Sequence, residues 1–135
     1  MKPRKTKGGL LRMALAAGMA AGTLAWAGCE KDYHYIAPPP TQPVSLSADL
    51  QPIFNSHCIG CHDGGLDPDL REGFSHASLW ANGDVDTANA ASSVIYIRTT
   101  LPSSTSGAMP PGGPALTSSQ TAMILKWIEE GAQDN

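Results

Sequence analysis

Hydrophobic and polar residues alternate along this chain in four successive patterns. Residues 10–27 are mostly apolar, interrupted by Arg12, and follow a start that carries Lys2, Arg4, Lys5 and Lys7. Over residues 30–45 the periodicity disappears, and Pro38, Pro39, Pro40 and Pro43 favour extended polyproline geometry. Helical elements are expected from Leu46 onward. Ser47 reads as an N-cap with Asp49 in the first turn, and Pro52 requires the helix either to start there or to bend. Ile53, Phe54 and Ile59 give this segment its apolar surface. Asp67-Pro68-Asp69 reads as a turn, Gly73 as a break, and residues 75–80 as a short helix capped by Ser75. Asn82-Gly83 marks a turn. Val94, Ile95, Tyr96 and Ile97 have strand preference but no partner strand in the chain, so residues 92–100 are read as a short helix capped by Ser92 or Ser93. Leu101-Pro102 ends it, and residues 102–115 form a Pro/Gly/Ser-rich loop. Thr117 to Gln120 is a capping box opening the last helix. Along it Ile124, Trp127 and Ile128 recur at helical spacing, and Gly131 stands where a C-terminal cap belongs.

The pattern divides the 135 residues into a signal segment (1–28), a Pro-rich tether (29–45) and one folded domain (46–135). A basic start followed by an apolar run is a bacterial export signal. Its end, Ala27-Gly28-Cys29, places small residues directly before a lone Cys, as in a lipobox, although Trp26 departs from the usual aliphatic residue. Cys29 is therefore the expected lipidation site, and the chain is expected to be exported and held at a membrane facing the periplasm or cell surface. A plain transmembrane anchor is the alternative, but the run is marginal for a span of about 20 residues. Three cysteines is an odd number, and lipidation of Cys29 leaves the other two for one shared task. The tether, at about 3.1 Å per residue, reaches on the order of 40–50 Å from the membrane.

Removing 28 residues leaves 107, with Lys31, Arg71, Arg98 and Lys126 against all twelve acidic residues, a net charge of −8. That sign excludes nucleic acid as a partner, since phosphate binding needs a basic surface. It suits solubility and also steering towards a basic redox partner.

Cys58-Ile59-Gly60-Cys61-His62 is the motif around which the folded part is organised. In an exported protein, C-x-x-C-H is the attachment signature of c-type haem. Two thiols one helical turn apart reach neighbouring vinyl groups, and the next residue offers its imidazole to the iron. A His and a Met together commonly hold such iron and raise its potential. The second ligand is expected at Met109. Pro110 restricts Met109 to extended geometry and Pro111 stiffens the turn. Met123 is the rival, read as core beside Trp127. One motif means one covalent haem c. His34 lies in the tether, His57 beside the motif and His76 at a helix start, where solvent exposure is expected. Arg98 or Trp80 are candidates to bond a propionate. Asp84, Asp86 and Asn89 fit no complete calcium loop, lack its closing Glu and read as a solvated turn.

Residues 51–54, Cys58, Cys61 and His62, then Met109-Pro110-Pro111-Gly112, then Trp127-Ile128 and Gly131-Ala132 resemble a small monohaem class I c-type cytochrome, over residues 46–132. The resemblance implies an all-α fold with first and last helices packed beside one covalent haem. It implies electron transfer, not enzymatic turnover, with Cys58 and Cys61 as thioether anchors and His62 and Met109 as axial ligands. Phe54, Leu79, Trp80, Tyr96, Leu116 and Trp127 are expected to cover the porphyrin, and the chain without haem is expected to fold poorly. Competing readings are a haem sensor or peroxidase with an open distal site, a subunit feeding electrons to a larger redox enzyme, and a zinc or dithiol protein using Cys58 and Cys61 with His57, His62 or His76.

Overall fold

Pro52 shapes the first helix. Its ring crowds the carbonyl four residues back and it has no N–H to donate. In the computed structural model, which describes residues 37–135, the chain meets this by opening with a wider π-helical turn, Leu46–Leu50, and continuing as α1, Gln51–His57, with Pro52 in its first turn. Residues 1–28, read from the sequence as a signal segment, together with Cys29 and His34 lie outside the described residues. The cap is Ser45, two residues before the expected Ser47. Its Oγ accepts from Ala48 N at 3.1 Å, while Asp49 accepts from Ser45 N at 2.8 Å. Ser47 Oγ instead donates to the Asn135 carbonyl at 2.7 Å.

Three further helices follow: α2, Ser75–Ala81, α3, Val94–Thr100, and α4, Ser118–Glu129. A 3-10 turn, Ala90–Ser92, leads into α3, and the described residues contain helices and no strand. The described residues are all-α, as expected. Ser75 is not the cap of α2. It is buried inside the first turn and donates to Gln51 Oε1 at 2.8 Å, while Gln51 Nε2 donates to the Leu70 carbonyl at 2.9 Å. Each partner in this buried polar chain is satisfied, so it ties α1, α2 and the loop between them together at little desolvation cost. Ser93 does precede α3, but its hydroxyl accepts from Asp86 N at 2.9 Å and does not cap the helix.

α4 carries the capping box read from the sequence. Thr117 Oγ1 accepts from Gln120 N, and Gln120 Oε1 accepts from Thr117 N at 2.8 Å. Gly131 ends it at φ +95°, a conformation that a side chain would strain. Leu50 of the π-helical turn, Phe54 of α1, Leu79 of α2, and Ile124, Trp127 and Ile128 of α4 are all at most 1% exposed. Burying each such side chain is worth roughly 1.5–3 kcal/mol. Trp127 Nε1 donates to the Gln133 carbonyl at 2.9 Å, so the ring is buried without an orphaned donor. The last residues then return to α1, where the Asn135 carbonyl accepts from Ser47 N at 2.8 Å and Asn135 Oδ1 accepts from Leu46 N at 2.7 Å.

The packed body begins before Leu46. Val44 belongs to the core and its N–H donates to Glu130 Oε2 at 2.8 Å, and Ala37 is also buried. Part of the segment read from the sequence as tether therefore packs on the domain. No helix among the described residues is long and apolar enough to cross a membrane.

Candidate functional site

α1 does not stop at His57. Cys58 N donates to the Phe54 carbonyl at 2.8 Å, Cys61 N to Cys58 O at 3.1 Å and His62 N to Cys58 O at 3.0 Å. One tight turn thus carries both thiols and the imidazole, and all three line a single cavity of about 370 Å³. Phe54 of α1, Leu70, Ile95 of α3, Leu116 and Ile124 of α4 make its apolar walls.

His62 is held in one orientation. Its Nδ1 lies 3.0 Å from the Pro68 carbonyl. A carbonyl only accepts, so Nδ1 carries the proton and Nε2 keeps its lone pair, the arrangement in which a second partner orients a metal-ligating histidine. The turn predicted at residues 67–69 supplies that carbonyl.

Met109 reaches the same cavity from the 102–115 loop. Its N–H donates to the Arg98 carbonyl at 2.9 Å, hanging the loop from the end of α3, and Ala108 beside it is buried. Pro110 and Pro111 follow it into the wall. Met123 packs against the core and is not part of the cavity. The structure therefore unites Cys58, Cys61, His62 and Met109, four residues that the sequence places in two distant segments.

The polar side of the cavity is formed by His57, Asp67, Asn82, Asp84 and Arg98. Asp84 is not in a solvated turn: its Oδ2 is buried without a hydrogen-bond partner. Burial pushes its carboxyl above the usual carboxylate range, against the pull of Arg98 and His62. Arg98 has no ion pair among the described residues, whereas Arg71 is paired with Asp69 at 2.7 Å and Lys126 with Glu130 at 3.3 Å. His57 Nε2 lies 3.4 Å from Gln120 Nε2, joining α1 to the capping box of α4.

Several expected contacts lie elsewhere. Leu79 and Trp127 belong to the core, Tyr96 packs against it, and none of the three lines the cavity. Trp80 is 44% exposed, and its Nε1 donates to the Ala132 carbonyl at 3.4 Å, which removes it as a propionate partner. His76 is not solvated but half-buried, 3.0 Å from the same carbonyl. Asn82, Asp84 and Thr99 were missed as cavity residues. Nothing in the local pattern marks them, because the cavity gathers them from the end of α2, the following turn and α3.

Burial pushes the free Cys58 thiol up to about 11, so without a metal it stays protonated at neutral pH. Among the described residues no three His, Cys, Asp or Glu side chains are grouped to hold a metal ion. The donor set does suit a c-type haem: two thiols for its edge, an oriented imidazole, a thioether, apolar walls, and an orphaned carboxyl oxygen with an unpaired guanidinium at the polar side. The chain matches no family model, no curated protein and no solved structure.

Proposed function

We propose that this chain is an exported, lipid-anchored electron carrier with one covalent haem c, on a class I cytochrome c-like arrangement. The observation that carries the reading is the convergence of Cys58, Cys61, His62 and Met109 on one largely apolar cavity. The haem supplies a one-electron couple when bound. Cys58 and Cys61 anchor it through thioethers. His62 ligates through Nε2 because Pro68 holds Nδ1, and Met109 offers its thioether from a loop fixed at Arg98 and stiffened by two prolines. Phe54, Leu70, Ile95, Leu116 and Ile124 exclude water, which lowers the reorganisation that accompanies each change of charge. Cys29 is the membrane anchor.

Charge supports a basic redox partner. Ten acidic residues in positions 37–135 face three basic ones, and two of those three are already paired within the chain. Long-range attraction of this kind speeds encounter and weakens with salt.

Met109→Ala tests the ligand set. The account expects loss of the far-red Met–iron band of the oxidised protein, a clearly lower midpoint potential and new binding of carbon monoxide. An unchanged potential, or ready carbon monoxide binding by the unmodified protein, would favour the open-site sensor or peroxidase reading.

A further inference from the structure

One acid on the largely apolar cavity, Asp84, is only half-buried but has one oxygen sealed from solvent. Asp84 Oδ2 has no partner, although a buried polar oxygen without one costs free energy. Its backbone is already employed, since the Asp84 carbonyl accepts from Ile95 N at 3.2 Å at the start of α3. That bond holds the Asp84 backbone at the cavity wall, and its buried Oδ2 is left without a partner among the described residues. Arg98, one turn further along α3 from Ile95, lines the same cavity without an ion pair among the described residues. An acid and a guanidinium lining the same cavity offer two groups that the carboxylates of a haem could bond.

We propose that Asp84 shares a proton with a carboxylate of the bound haem, and that this proton is taken up together with the electron. The inference rests on the haem c reading above. On reduction, one electron arrives from the redox partner and one proton from solvent hydronium, forming an O–H bond at Asp84 Oδ2. On oxidation both leave. The coupling follows from charge: one added electron in a site of low dielectric raises the proton affinity of a nearby acid. The groups that set this affinity are Arg98 on α3, His62 on the attachment turn, Asp67 in the following loop and the burial of Asp84 itself. His57, which lines the cavity from α1, is the other titratable group there.

The test is a spectroelectrochemical titration of the haem-loaded protein from acid to neutral pH. The midpoint potential is expected to fall as pH rises through the interval between the oxidised-state and reduced-state proton affinities. Its limiting slope is about 59 mV for each tenfold change in proton activity. Asp84→Asn abolishes the slope, Asp84→Glu restores it, and His57→Asn leaves it intact. A slope that survives Asp84→Asn, or disappears in His57→Asn, overturns the proposal. In case Asp84→Asn fails to fold, the reduced-minus-oxidised infrared spectrum of the unmodified protein gives the same answer. A protonated-carboxyl band should grow on reduction, and its absence is a contradiction. A haem protein with its Met band and a flat potential sinks this inference alone, whereas a colourless preparation sinks the haem reading with it.

Discussion

The two sides of this small protein are stabilised differently. On one, α1 and α4 pack with Leu50, Phe54, Ile124, Trp127 and Ile128 almost fully buried, and the Asn135 segment seals the start of α1. Its donors and acceptors are satisfied by the chain itself. On the other, α3 and the 102–115 loop close a cavity of about 370 Å³ whose facing wall is the Cys58–His62 turn with Phe54 of α1 and Ile124 of α4. There Val94 and Ile97 are exposed, Asp84 Oδ2 is unpartnered, and the loop is tied to the rest by the Met109–Arg98 backbone bond. One side is complete as protein, while the other is shaped for a guest. A domain this small has little core to spare, so the guest is expected to be structural as well as functional.

The strongest way to break the comparison is to withhold the guest. With Cys58→Ala and Cys61→Ala together, amides of α3 and of the 102–115 loop should lose most of their hydrogen-exchange protection, while those of α1 and α4 keep more. Uniform loss on both sides, or none, would contradict the division. Trp127→Ala attacks the complete side directly. It removes the largest fully buried side chain, and denaturant unfolding of the haem-loaded protein should show a loss of about 3–5 kcal/mol. Thr117→Ala removes only one half of the capping box and should cost about 1 kcal/mol in the same measurement. A loss as large as that of Trp127→Ala would mean that the start of α4 also organises the cavity, through Gln120 and His57.

The same division explains what the sequence made legible. The capping box, the Ile124–Trp127–Ile128 stripe and the Gly131 stop could all be read, because they are local patterns with a fixed period. Cys58, Cys61, His62 and Met109 could be singled out because the C-x-x-C-H spacing and the Met-Pro-Pro loop are specific, and the structure brings all four to one cavity. Ser45 was missed as cap because the π-helical turn before Pro52 shifts the helix start by two residues, and Ser47 was free to bond Asn135 instead. Trp80 and His76 were misplaced for a related reason. Their partner is the Ala132 carbonyl, more than fifty residues away, and no window of sequence contains both. Asp84 was read as a solvated turn residue because only tertiary packing buries its Oδ2.

The central claim is that the cavity holds a covalent porphyrin. The direct measurement is made on protein produced in a host that matures c-type cytochromes: intact mass, peptide mapping and a pyridine haemochrome spectrum. The account predicts a red protein heavier by one haem, with both Cys58 and Cys61 modified. A colourless protein with both thiols free would contradict it.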